Sequence, residues 1–276
     1  MSLRVAVAVC ALLGLGCEKR PAEQTPPAIH ADAAPVSSAP NPQAPSPLRP
    51  LTDARWLESL ELPGGRRAWV SVPLGATQPR PIMIAAHGAG DRPEWACGGW
   101  RGVTEAFPFI VCPEGNRGSV NFYWPSTEVL AQVITSALEA LQTRFGNYVL
   151  RGPALYAGFS AGAIYGAGFV ARAPASYPVL MMSEGAYDQL TAQSFAETFS
   201  KGGGKRVLLG CSTGEHCRSR FREASRLLSR VGIEVRLNDA GSVGHNLNGE
   251  VVTSLKKDWP WLVENLDGWE SFRAER

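Results

Sequence analysis

The sequence predicts an α/β protein, with a mainly parallel, doubly wound sheet and helices on both of its faces. Two observations predict it. Short, continuous apolar runs recur along the chain, as strands buried on both faces require. Between several of them lie longer stretches with apolar residues at helical spacing. Strands and helices that alternate in this way form parallel sheets joined by crossover helices. The 276 residues have room for one large domain, and 45% hydrophobic with 19% charged residues is the balance of a globular chain.

The elements follow in order. Residues 1–17 read as a secretion signal: Arg4 gives the positive start and Val5 to Gly16 is apolar but too short to span a membrane. No apolar run reaches the roughly 18 residues of a membrane helix. Residues 18–50 hold nine Pro and seven Ala and no aromatic residue, so they lack the apolar surface to fold alone and read as a tether. The folded domain is expected over residues 51–276. Arg66 to Val72 alternates like a strand. Pro81 to Ala86 and Phe107 to Cys112 are buried runs. Val129 to Phe145 keeps helical spacing and is stopped by Gly146. Ala154 to Ser160 returns to strand, and Ala161 to Ala173 is a small, apolar helix. Val179 to Ser183 and Val207 to Cys211 are further strands, Arg218 to Val231 an amphipathic helix with a basic outer face, Ile233 to Leu237 the last strand and Glu250 to Val263 the last helix. Little length remains for a cap domain.

A net charge of +2 gives no strong field for nucleic acid or an anionic membrane. The chemistry is carried by Gly158-Phe159-Ser160-Ala161-Gly162. This fits the G-x-S-x-G turn, which needs a strand before it and a helix after it, and both are expected here. A serine hydroxyl needs a base. Of the four histidines, His30 lies in the tether, His87 ends a buried strand and His216 follows an acidic loop. His245 follows the last strand, where a loop can reach back over the sheet edge. It is the expected base. The acid that orients it is expected at Glu215, in the loop after the Val207 to Cys211 strand, with Glu184, Asp188 and Asp239 as alternatives. The oxyanion donors are expected to be the N–H groups of Ala161 and Ala89, the latter in His87-Gly88-Ala89-Gly90, with Gly88 as its near alternative.

These pieces, with Cys112-Pro113-Glu114-Gly115, resemble the α/β-hydrolase family. They are similar in character to its small secreted esterases: the dienelactone-hydrolase, phospholipase/carboxylesterase and polyhydroxybutyrate-depolymerase-like groups. The resemblance covers roughly residues 64–264. It implies the α/β-hydrolase fold and a Ser–His–acid acyl-enzyme mechanism, with no metal or organic cofactor. Many relatives have Asp where this chain has Glu215, which leaves the acid open. Leu13-Gly14-Leu15-Gly16-Cys17 resembles the lipobox of bacterial lipoproteins, where the cysteine is lipidated, although Gly14 stands where that pattern usually has Leu. The alternative is a plain signal peptide.

Four cysteines remain outside the leader, and an even number in an exported chain suggests disulfides. Cys97–Cys112 and Cys211–Cys217 are the favoured pairs, since each joins neighbouring loops at one end of the sheet. Gly202-Gly203-Gly204-Lys205 precedes a strand, the reverse of a phosphate loop, and reads as a turn. No Cys/His cluster has zinc spacing. Trp95, Trp100 and Trp124 flank the expected site. The expected partner is a small or polymeric ester, with membrane contact only through the N-terminal lipid. The rivals are a binding protein on the same scaffold without turnover, and a peptidase or amidase.

Overall fold

The computed structural model describes residues 47–272. Cys17, the expected leader and nearly all of the expected tether lie outside the described residues. Backbone pairing begins slightly before residue 51, where the Leu48 N–H donates to the Thr77 carbonyl.

The chain runs through β1 (Leu57–Leu62), β2 (Arg66–Ser71), β3 (Ile82–Ala86), α1 (Pro93–Val103), β4 (Phe109–Pro113), β5 (Asn116–Arg117), β6 (Phe122–Tyr123) and α2 (Thr127–Phe145). It continues through β7 (Leu155–Phe159), α3 (Ala161–Val170), β8 (Val179–Ser183), α4 (Tyr187–Leu190), α5 (Gln193–Lys201), β9 (Arg206–Cys211), α6 (Glu215–Arg230), β10 (Glu234–Asp239) and α7 (Gly249–Leu262). Eight strands form one sheet in the order β1-β2-β4-β3-β7-β8-β9-β10, while β5 and β6 pair as a small separate ribbon. From β4 to β10 every neighbour is parallel; β1 and β2 run antiparallel at one edge.

Each face of the sheet carries its own core. Val70, Ile84, Val111, Tyr156, Leu180 and Leu209 point toward α2, α3 and α6. Met83, Ile110, Ala157, Met181 and Leu208 point toward α1 and α7, whose Trp100 and Trp259 are fully buried. Alternate residues of one strand face opposite layers, and both layers are apolar, so the strands read as continuous runs rather than alternating ones. Helix α2 begins where the Ser126 hydroxyl accepts the Val129 N–H at 3.3 Å and ends at Gly146, whose φ is 49°.

Register places the site. Phe159 lies beside Ser183, Ser183 beside Gly210, and Ala86 beside Gly158. The residues just after these strand ends therefore stand side by side along the carboxyl edge of the sheet, where ligands of open α/β sheets bind. A disulfide joins Cys97 of α1 to Cys112 of β4, and a second joins Cys211 to Cys217 across the β9–α6 turn. Both tie a strand to a helix, not loop to loop. Among the described residues, no helix is long and apolar enough to cross a membrane.

Helix α1 is not among the elements expected from the sequence. Its sequence, Pro93-Glu94-Trp95-Ala96-Cys97-Gly98-Gly99-Trp100, contains two adjacent glycines that weaken intrinsic helicity. Packing supplies what propensity lacks. A Cβ on Gly99 would come within 2.7 Å of the Leu247 carbonyl, and one on Gly102 within 3.0 Å of Val252, so glycine lets α1 lie against α7 and the loop before it.

Candidate active site

Ser160 sits at a sharp turn between β7 and α3, with φ 52° and ψ −117°. A non-glycine residue here is strained by about 1–3 kcal/mol. The surroundings hold it there. The Ser160 N–H donates to the Ser183 carbonyl at 2.8 Å, and its carbonyl accepts from the N–H groups of Ala163 and Ile164. A Cβ on Gly158 would stand 2.6 Å from the Ala163 nitrogen, and one on Gly162 would stand 2.2 Å from the Ala86 carbonyl oxygen. The two glycines of the motif are thus demanded by close backbone approach, and the turn lifts Ser160 to the floor of a cleft of about 820 Å³.

The same cleft is lined by His245, Gly88 and Ala89. The His245 ring packs against Phe159 with centroids 4.8 Å apart, and its side chain is 49% exposed. Its Nδ1 faces the Glu184 carboxylate at 3.6 Å. That distance is long for a hydrogen bond, as such contacts often are before substrate binds.

Glu215, the expected acid, is elsewhere. It opens α6, is 65% exposed, and pairs with Arg218 at 3.0 Å and Arg222 at 2.9 Å. The physical reason is the short β9–α6 connection, which turns straight into the helix and points Glu215 outward. Asp188 pairs with Arg220 at 2.6 Å, and Asp239 with Arg218 at 3.0 Å; neither faces His245. Glu184, weighed above as an alternative, is the carboxylate brought to the histidine. It follows β8, one strand earlier than expected, and adopts φ 55°.

Its side chain is only 1% exposed but is surrounded by donors. Oε1 accepts from the backbone N–H of Ser212, from the Ser212 hydroxyl at 3.1 Å and from the Thr213 N–H at 3.1 Å. Oε2 accepts from the Thr213 hydroxyl at 2.6 Å and the Tyr187 hydroxyl at 3.4 Å. Burial, the largest single influence, pushes the carboxyl up; the neighbouring His245 imidazole and the hydrogen bonds from Thr213 and Ser212 together outweigh it and hold the group at about 2. Burial, with the nearby carboxylate, pushes the Tyr187 phenol up, so it stays a protonated donor.

Ser212 joins the two halves of this arrangement. Its carbonyl accepts from the N–H groups of Val243 and Gly244, and its hydroxyl also lies 2.7 Å from the Gly244 carbonyl. The loop that clasps Glu184 therefore also fixes the loop that carries His245. Sequence reasoning passed over Ser212 and Thr213. Their only signal was two hydroxyl residues directly after a strand end, beside Cys211.

The turn after β3 is held by His87, which is fully buried. The Gly115 N–H donates to His87 Nε2 at 3.2 Å, so Nδ1 carries the proton and donates to the Gly88 carbonyl at 2.7 Å. Burial lowers the pKa of this imidazole and favours that neutral form. A trans peptide points its C=O and the next N–H in opposite directions. Turning the Gly88 carbonyl toward His87 thus turns the Ala89 N–H away from it. Within the described residues, no acceptor pairs with the N–H groups of Ala89 or Ala161. The Trp124 indole N–H donates to the His87 carbonyl at 2.9 Å and is buried, as is Trp100. Trp95 alone of the three flanking tryptophans lines the cleft. His216 is apart from the base, edge-on to Tyr187.

No family model matches the chain, and no curated protein matches it in sequence. Solved structures do match. TT1662 from Thermus thermophilus aligns with a TM-score of 0.54 at 17% identity, covering 75% of this chain and 98% of that one. Est1E from Butyrivibrio proteoclasticus gives 0.55 at 11%, covering 76% and 99%. S-formylglutathione hydrolase from Staphylococcus aureus gives 0.55 at 12%, covering 76% and 96%. At such identities the likeness speaks for architecture alone, and it agrees with the strand order found here: the chain has the α/β-hydrolase fold.

Proposed function

We propose that this chain is an exported serine hydrolase of carboxylic esters. The observation that carries the reading is the convergence of Ser160, His245 and Glu184 at one edge of the sheet, with His245 facing both the cleft and a buried, ionised carboxylate. Ser160 Oγ attacks the acyl carbon while His245 takes its proton. The negative charge that develops on the former carbonyl oxygen is held by the Ala89 and Ala161 N–H groups, and the amino-terminal dipole of α3 adds to the second. His245 passes the proton to the departing alcohol. It then takes a proton from water, whose oxygen attacks the acyl carbon; as the bond to Ser160 breaks, His245 returns that proton to Ser160 Oγ and the acid is released. Glu184 holds the imidazole in the productive tautomer and stabilises its positive form. Glu184 thus takes the role first expected of Glu215.

S-formylglutathione hydrolase, one of the structures of like fold, is a hydrolase by name, which is in keeping with the reaction class proposed. Two disulfides support an oxidising compartment outside the cytoplasm. The signal, the tether and lipidation at Cys17 belong to the same proposal.

The test is hydrolysis of p-nitrophenyl acetate and butyrate, beside an anilide of the same acyl group, by the chain and by Ser160→Ala. A fluorophosphonate label is run in parallel. Ester turnover and labelling are expected in the chain and both vanish in the variant. Full turnover by Ser160→Ala, or anilides cleaved faster than esters, would overturn the ester mechanism.

A further inference from the structure

The cleft over Ser160 does not end at the reacting centre. It runs between α1 and the start of α7 to Gly98. This residue also lines a second hollow of about 660 Å³, walled by Trp56, Arg101, Glu105 and Lys256. The two hollows meet at Gly98 and lie in succession along α1, from the nucleophile outward.

Two indoles are exposed along it. Trp95 is 59% exposed at the cleft, and Trp56 is 45% exposed in the outer hollow. Neither belongs to the core, and large apolar faces left open beside a cavity mark contact with a ligand. The charged groups along the outer hollow are engaged within the protein, and the Arg101 guanidinium also lies 5.5 Å from the centre of the Trp56 ring. Glu105 pairs with Lys256 at 2.9 Å, and Arg101 donates to the Ser71 hydroxyl and the Val72 carbonyl at 2.9 Å each. Asp91 is the one charged carboxylate lining the inner cleft, where Asn248 stands nearby as a neutral polar group.

Gly98 adds an independent observation. The other two glycines of α1 are explained by contact with Leu247 and Val252. A Cβ at Gly98 would meet nothing within 4 Å. Glycine in a helix interior is unfavourable, and packing gives no reason for it at this position. A side chain there would rise from the floor where the hollows meet.

The occupant must be extended, free of negative charge where it passes Asp91, and able to offer flat C–H faces to indoles while keeping a polar rim in water. A chain of pyranose rings has these properties. Its axial C–H bonds meet the negative face of an indole, and its hydroxyls reach carboxylate and amide groups such as Asp91 and Asn248. An aromatic acyl group calls instead for an enclosed apolar slot, whereas this groove has its indoles on an open surface. We infer that the groove is a track for a neutral oligosaccharide, and that the ester cleaved at Ser160 is an acyl group carried on such a chain. The second half of this inference rests on the esterase reading of Ser160.

The test separates the two halves. Full-length Ser160→Ala is titrated with unesterified xylo-, cello-, chito- and malto-oligosaccharides, from disaccharide to hexasaccharide, by calorimetry and tryptophan fluorescence. At least one series is expected to bind more tightly as it lengthens. Adding Trp56→Ala or Gly98→Leu is expected to weaken that binding about tenfold, as loss of an aromatic anchor does at other interfaces. Thermal melts check that each variant is folded; Gly98→Leu should melt no lower than its parent, because leucine favours helix. In the parent chain, acylated members of the binding series should be cleaved with higher kcat/KM than p-nitrophenyl acetate. Ester turnover with no saccharide binding overturns the track and leaves the esterase. Saccharide binding without turnover of any ester overturns the esterase and retains the track. Binding that survives both groove substitutions places the saccharide elsewhere and refutes the inference.

Discussion

Glu184 is the residue on which the proposed chemistry turns. Hydrogen bonds hold it at about 2 against the cost of burial, so it is ionised throughout the range in which a histidine can act as base. Its folded-state pKa lies below its unfolded one. The stability it contributes is therefore present above roughly pH 4.3 and is lost as pH falls toward about 2, a loss that Glu184→Gln should remove from an acid-unfolding profile. The same substitution should lower kcat by roughly 10³–10⁴-fold in folded protein, by analogy with a triad acid changed to its amide. Glu215→Gln, at an exposed position paired only with arginines, should change kcat by less than about twofold, because surface ion pairs are weak. Reversal of those two outcomes would restore Glu215 to the role first expected of it. The sequence made Ser160 and His245 visible because a sharp turn needs glycines and a base must follow the last strand. It left the acid open because four carboxylates stand near carboxyl ends of strands. What separates them is where each side chain points, and arginine partners on α6 draw Glu215, Asp188 and Asp239 away.

At the level of elements, the β9–α6 turn does more than connect. Cys211 and Cys217 close it, and between them Ser212 and Thr213 clasp Glu184 and steady the loop of His245. Closing so short a loop is worth about 2–3 kcal/mol by the chain-entropy estimate. We expect the Cys211→Ala, Cys217→Ala double variant to melt lower and to lose kcat more than it gains KM. The corresponding double variant at Cys97 and Cys112, farther from the acid, should melt lower while keeping more of its kcat; comparing the two pairs by calorimetry and steady-state kinetics checks this. Most strands and long helices were legible within a few residues. Strands β3, β4, β7, β8 and β9 are unbroken apolar runs, and α2 keeps its period to a glycine stop. Helix α1 was not legible, since its glycines speak against a helix until Leu247 and Val252 are in place.

Across the whole molecule, two apolar layers share one sheet, and the layer under α1 and α7 also supports two walls of the cleft. Leu255→Ala, at a fully buried position of α7, should cost about 2–5 kcal/mol. In a domain of this size that lowers the melting temperature by very roughly 5–15 °C. Loss of the proposed esterase activity on heating should coincide with that transition, because α1 and α7, which wall the cleft, rest on this layer. Two separate transitions would show that the layers unfold apart. The overall architecture was legible because alternating strands and helices have few ways to pack; the groove beside α1 was not, since it depends on a helix the sequence conceals. One feature of the topology bears on how the protein comes into being. Ser160 follows the fifth strand of the main sheet, while His245 comes only after the eighth. During synthesis the nucleophile is made long before anything can take its proton. A chain that stalls, or is cut before β10, carries a serine no more reactive than any other. In a protein proposed to cross a membrane before it acts, this order of assembly keeps unfinished copies inert wherever they come to rest.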